Sequence, residues 1–143
     1  MNKRTTTPSA RYQKGRKILK KIHGMKAINA IDGMNDTAPD MARFVYEFPF
    51  GDIYSRPGLD IKSRQLVTVS SLATLANAGQ QLKAHINGSL NVGLTRVEIV
   101  EALMQIAVYA GFPAALNALK IARDVFQERD TEDAVKPKTP KRK

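Results

Sequence analysis

The chain has no cysteine among its 143 residues and only two histidines, His23 and His85. Without cysteine there is no disulfide framework, no thiol redox centre and no cysteine metal site. No apolar run approaches the roughly 20 residues that a membrane-spanning helix requires, so no membrane partner is expected. The basic start "MNKRTTTPSARYQKG" is not followed by an apolar segment, so it does not read as a secretory signal. These absences point to the cytoplasm. Acid is also missing where base is dense: residues 1–26 carry nine Lys/Arg and no Asp/Glu.

What is present is ordinary for a globular domain, 43% hydrophobic and 25% charged. The length suits one domain with a real core. The formal net charge of +10 belongs to the ends: residues 27–128 carry eight Lys/Arg against ten Asp/Glu, and 129–143 carry six against three. Basic ends can hold phosphate by counterion release, but they as often only solvate the chain, and a nucleic-acid partner is not expected. The tail "AVKPKTPKRK", with prolines among like charges, reads as disordered. The expected organisation is a basic start over 1–7, a single helical domain over 8–129 and a disordered basic tail over 130–143.

Periodicity and punctuation predict helices almost throughout. Pro8-Ser9 opens a helix carrying "RYQKGRKILKKIHG", with Gly24 at its stop. A short apolar piece, "MKAINAIDGM", follows. Asp36 or Thr37 is placed to cap the next helix, with Pro39 in its first turn, and Pro49 and Gly51 should kink or end it. Pro57-Gly58 suits a turn, and Asp60 then caps "IKSRQLVTVSSLATLANAG". Its β-branched run tempts toward a strand, but the length and the Leu66, Val69, Leu72 and Leu75 spacing favour a helix. The helix bearing His85 stops at Gly93. Thr95 and Glu98 form a capping box for "RVEIVEALMQIAVYAG", Gly111 ends that helix, and Pro113 sits in the first turn of the last one. The sum is an all-α domain of six to seven helices, with apolar, alanine-rich central helices suited to a bundle or an oligomer interface.

His85 is the residue that most invites a chemical role. On a wheel of 100° per residue its neighbours are Ala78, Gln81, Ser89 and Val92, with Leu82, Ile86 and Leu90 forming the adjacent apolar stripe. Small neighbours leave room for a ligand, and a partly desolvated histidine can titrate near neutral pH. Composition and spacing alone favour a core-edge histidine bonded to a carbonyl. Arg56 lies in the "SRPGLD" turn and Arg64 one turn into the following helix, beside an apolar face. Two guanidinium groups near a pocket suit a carboxylate ligand, because the planar fork takes both oxygens. The alternative is a structural pair of Arg64 with Glu47 or Asp60. Glu47, in the aromatic-rich "FVYEFPF", is a further acid–base candidate, although helix-surface solvation is its commoner fate. Glu98 is absorbed by the capping box, and Glu101 could face either way.

Three motifs in order, RPGLD-x-x-x-R, H-x-x-x-x-L-x-x-G-x-T and YAGFPA, spread over roughly residues 40–127, make the chain resemble the carboxymuconolactone decarboxylase family. The resemblance implies a carboxymuconolactone decarboxylase/AhpD-like helical bundle assembled as a homo-oligomer, commonly a hexamer built as a trimer of dimers. The family's alkylhydroperoxidase branch carries a C-x-x-C pair seven and four residues before the histidine. Here those positions are Ala78 and Gln81, and without thiolates there is no nucleophile for a peroxide. The decarboxylase branch converts γ-carboxymuconolactone to 3-oxoadipate enol-lactone in aromatic catabolism, with neither metal nor organic cofactor. By this resemblance Arg56 and Arg64 bind the carboxylate or lactone oxygens and His85 is the general acid. Glu47, which rests on its position alone, would orient His85 or an arginine. The expected activity is that of a carboxy-lyase without thiol peroxidase chemistry, its substrate a small carboxylated lactone. The alternative is a non-catalytic oligomer of the same family that binds small acids or serves as a scaffold. The basic helix at the start and the basic tail depart from the family's decarboxylases, which are often shorter at the N-terminus.

Overall fold

The computed structural model describes residues 8–135. The expected basic start, 1–7, and residues 136–143 of the expected tail lie outside the described residues. The described chain is all-helical: α1 (Ala10–Asp32), a 3-10 turn (Gly33–Asp36), α2 (Pro39–Val45), a π-helical segment (Tyr46–Ile53), α3 (Ile61–Leu75), α4 (Gly79–Asn91), α5 (Arg96–Ala110) and α6 (Phe112–Val135). It divides into two compact units, 8–65 with 88–94 and 66–87 with 95–135.

In the first unit, Ser9 caps α1 as its sequence suggests: its Oγ accepts from Tyr12 N at 3.0 Å. Gly24 breaks the helix, with φ 75° and ψ −174°, a conformation open to glycine. The helix does not stop there, however. It resumes and takes the apolar piece as far as Asp32. At the break, Asn91 Nδ2 donates to the Ile22 carbonyl at 2.7 Å, so a side chain from the 88–94 stretch meets a carbonyl beside the interrupted ladder.

The aromatic run becomes the core. Leu19, Ile22 and Ile28 of α1 are buried with Ala42, Tyr46 and Phe50. Tyr12 meets the Tyr46 ring edge-on at 4.9 Å, and Phe50 lies 5.1 Å from Tyr54. Tyr46 Oη donates to Asp32 Oδ1 at 2.7 Å, and Arg16 Nη2 pairs with Asp32 Oδ2 at 3.1 Å. Burial, followed by that hydrogen bond, raises the Tyr46 phenol well above its ordinary pKa. Two backbones nearly touch here. A Cβ at Gly15 would lie 1.7 Å from Tyr46 O, and one at Gly51 would lie 2.7 Å from Arg11 O.

Two expectations for this region need correction. Neither Asp36 nor Thr37 caps α2. The 3-10 turn draws Asp36 in, Thr37 Oγ1 donates to Asp36 Oδ1 at 3.2 Å, and Ala38 stands at the cap without a side-chain bond. Pro39 in the first turn has no N–H to satisfy, which lowers the need for a cap. Pro49 does end the α-helical ladder, but by widening it. The chain enters a π register, closed by Tyr54 N donating to Pro49 O at 2.8 Å.

In the second unit, α5 packs on α6. Ile99, Leu103 and Ile106 are buried from α5, and Ala114, Ala115, Ala118, Ala122 and Val125 from α6. The alanines let the axes approach closely. The run "LVTVSS" is helical as the spacing predicts, but α3 ends at Leu75 rather than near Gly79, and Ala76 takes φ 59°. α6 continues past 129 to Val135, so 130–135 are helical rather than tail. Arg96 holds that end through Asp130, with bonds of 2.6 and 3.2 Å.

The capping box of α5 is complete. Thr95 Oγ1 accepts from Glu98 N at 3.1 Å, and Glu98 Oε2 accepts from Thr95 N at 2.6 Å. Thr95→Ala removes one side of it and is expected to lower stability by about 1 kcal/mol. Thermal unfolding of both proteins checks this, and an unchanged midpoint would show that the box contributes nothing.

Candidate functional site

The two arginines meet through one turn. Asp60 caps α3 as expected, accepting from Ser63 N at 2.7 Å, and that bond holds its carboxyl below the usual range. Arg64 sits in the first turn of α3, half-buried, with its Nη2 donating to the Arg56 carbonyl at 3.0 Å. One arginine thus fixes the backbone of the other across Pro57-Gly58. The Arg56 side chain is exposed. Glu47 accepts from Ser9 and Arg43, and Asp60 accepts from Ser63.

Glu47 is buried in the π-helical segment and tied to the start of α1. It accepts from Ser9 Oγ at 2.7 Å and from Arg43 Nη1 at 3.2 Å, with Arg11 Nη1 at 3.9 Å. The Ser9 hydrogen bond first, then Arg43 and Arg11, hold its carboxyl below the ordinary value against the opposing effect of burial. A carboxylate held by two hydrogen bonds and a further ion pair is a poor proton carrier, and these partners are not the motif arginines. Its folded pKa is depressed, so its contribution to stability is present above the unfolded value, about 4.3, and is lost as pH falls through the folded one. Glu47→Gln is expected to cost about 1.5–3 kcal/mol at pH 7, and the gap to wild type should shrink in acid. Melting both proteins at pH 7 and pH 3 tests this; a gap that persists in acid would contradict the charge argument.

His85 lies on α4, in the second unit. The helix buries Leu82, Ile86 and Ser89 and exposes Gln80, Gln81 and Ala84. His85 is half-buried at the margin of that stripe, where a side chain can keep a polar partner and still reach a ligand. Ala78, at the first of the two positions where thiol relatives carry cysteine, offers only its carbonyl, which accepts from Leu82 N at 2.9 Å. Gln81 is exposed.

Two buried polar residues escaped the sequence reading. Gln65 and Ser89 are fully buried, and Gln65 Nε2 donates to Tyr54 Oη at 3.4 Å. The signal was available: Gln65 falls one turn from Ile61 and Val69, and Ser89 falls in register with Leu82 and Ile86, so each places a polar group on an apolar stripe. Groups of this kind cost free energy unless bonded, which makes them worth noting beside a candidate site. Among the described residues no three His, Asp or Glu side chains stand together as a metal cluster, and no described helix is long and apolar enough to cross a membrane.

Residues 39–124 match the model of the carboxymuconolactone decarboxylase family. The chain is 33% identical over 119 residues to 4-carboxymuconolactone decarboxylase of Acinetobacter baylyi, covering 82% of this chain and 88% of the relative. It is 30% identical over 118 residues to nitrosuccinic acid decarboxylase of Metarhizium robertsii, covering 82% of each. A 15.0 kDa protein of Paracoccus denitrificans is 35% identical over 100 residues, covering 69% and 75%. The chain belongs to the carboxymuconolactone decarboxylase family, as the three motifs suggested, and its all-helical architecture is the one expected of it. Two of these relatives are decarboxylases by name, which supports carboxy-lyase chemistry for the family fold carried here.

Proposed function

We propose that the chain is a cofactor-independent decarboxylase that takes γ-carboxymuconolactone to 3-oxoadipate enol-lactone. The observation that carries this reading is the 33% identity to 4-carboxymuconolactone decarboxylase over most of both chains. In the substrate, one ring carbon bears the departing carboxylate, a carboxymethyl arm and the conjugated C=C–C=O of the lactone. The C–CO2 bond breaks heterolytically, and its electron pair enters that conjugated system as a dienolate. A proton then adds to the carbon next to the lactone carbonyl. One proton is consumed and one CO2 is released.

Nitrosuccinic acid has the same plan: one carbon bears a carboxylate, a carboxymethyl arm and a nitro group as electron sink. The shared substructure is a succinate with an electron sink on the carbon that loses CO2. Arg56 and Arg64 suit the anionic arms of such a molecule, and His85 suits the proton delivery. Glu47, bonded to Ser9 and Arg43 and paired with Arg11, supports the fold rather than the chemistry. The exposed Val97, Met104, Val108, Tyr109, Phe112 and Leu116 of α5 and α6 support assembly into a homo-oligomer, with the family's hexamer as the proposed form. The cytoplasm, where catabolic acids would be met, is the proposed location.

The test is the reaction run in D2O with purified protein and no added cofactor, the products read by NMR. The expected product is the enol-lactone carrying one deuterium beside the lactone carbonyl. Intact γ-carboxymuconolactone would contradict the reading. Saturable binding without turnover would leave the non-catalytic, small-acid-binding alternative.

A further inference from the structure

The bases of the first unit are sorted by type. Arg11 pairs with Asp52 at 2.6 Å and Arg16 pairs with Asp32 at 3.1 Å, both beside the core. Lys14, Lys17, Lys20 and Lys21 are exposed, and none of them forms an ion pair among the described residues. On a wheel of 100° per residue, Lys14, Lys17 and Lys21 fall within about 60° of one another, Lys20 flanks them, and the buried Gly15, Leu19 and Ile22 face the other way. Four of the six acids of this unit, Asp32, Asp40, Glu47 and Asp52, pair with arginines, and the lysines are left as a ridge. Within the described residues the first unit carries eleven Lys/Arg against six Asp/Glu, while the second carries five against seven.

We propose that this α1 ridge docks the phosphate backbone of a nucleic acid without reading its sequence. Lysines three and four residues apart rise about 4.5 and 6 Å along a helix, a step that flexible ammonium arms can match to successive phosphates. No aromatic side chain lies on the ridge to stack a base and no unpaired guanidinium to fork onto one, so the contact is coulombic and indifferent to sequence. A membrane surface fits less well. The apolar side of α1 is mostly in the core, and Met25 is the one large apolar side chain that α1 exposes, which is little to enter a bilayer when stable adsorption generally needs a second anchor. The sequence alone gave no such expectation, because it shows the charge but not which bases the acids have already taken.

The test uses the full-length protein and a labelled random-sequence DNA duplex in an anisotropy titration at several salt concentrations. The ridge variant is Lys14→Gln/Lys17→Gln/Lys21→Gln, which keeps good helix formers at exposed positions and leaves both chain ends unchanged. Wild type should bind with log K falling against log salt at a slope of about −3 to −4 for four phosphate contacts. The variant should lose about tenfold or more in affinity and most of that slope, with unchanged circular dichroism and unchanged decarboxylase turnover. No binding to duplex, binding indifferent to the variant, or binding confined to phosphatidylserine vesicles would each overturn the proposal.

Discussion

Replacing His85 by glutamine is expected to lower kcat on γ-carboxymuconolactone by about two to four orders of magnitude, while KM and thermal stability stay close to wild type. The separation follows from the assigned roles. In the proposed mechanism Arg56 and Arg64 recognise the anionic arms in substrate and transition state alike, so binding should survive the substitution. The proton is delivered only after the C–C bond has begun to break, so the loss falls on kcat. His85 is half-buried at the edge of α4, where glutamine fits the helix and can keep one polar partner. Stopped assays for kcat and KM, with a melting curve alongside, check all three statements. A variant that keeps its turnover would make His85 a core-edge residue. One that loses turnover only because it unfolds would say nothing for the acid and would count against the assigned role.

Gly15→Ala is the substitution expected to damage the fold most. A methyl group there would stand 1.7 Å from the carbonyl oxygen of Tyr46 and 2.8 Å from Gly51 N. Both obstacles are backbone, and the opposing strand of chain is itself pinned, since Glu47 is bonded to Ser9 and Arg43 and Tyr46 is bonded to Asp32. Relief requires α1 to move off the π-helical segment, which opens the Leu19, Ile22, Tyr46 and Phe50 core. The expected cost is about 3 kcal/mol or more, a fall in melting temperature on the order of 10 °C for a chain of this size. By contrast, alanine at Gly33, where nothing lies within 4 Å of the added carbon, should leave the midpoint near wild type. Equal midpoints for the two variants would contradict the close crossing.

The contrast between those glycines also marks what the sequence could and could not disclose. Local signals carried far. Pro8-Ser9 opens α1, and Asp60 and the Thr95–Glu98 pair cap their helices, as expected, because a helix start depends on three or four consecutive residues. Gly24 was recognisable as a break, but not as one the helix resumes after, since resumption depends on Ile28 reaching a core built from residues 42–50. The π register around Pro49 needed knowledge of what the widened turn packs against. The motif arginines were identified, and so was their shared turn, but the Arg64-to-Arg56 bond was not, because it joins a side chain to a carbonyl eight residues away. Glu47 was singled out as an acid–base group, whereas its partners Ser9 and Arg11 lie nearly forty residues earlier in the chain. The Ser9 hydrogen bond and the Arg43 and Arg11 charges keep it ionised against the effect of burial, and Ser9 and Arg11 are brought to it only by the tertiary fold.

The most direct test of the central claim follows the ultraviolet absorbance of γ-carboxymuconolactone mixed with purified protein in plain buffer, wild type beside His85→Gln. Rapid loss of the substrate signal with wild type, and loss near the uncatalysed rate with the variant, is the predicted result. No catalysed loss by wild type, or equal rates from the two proteins, would contradict it.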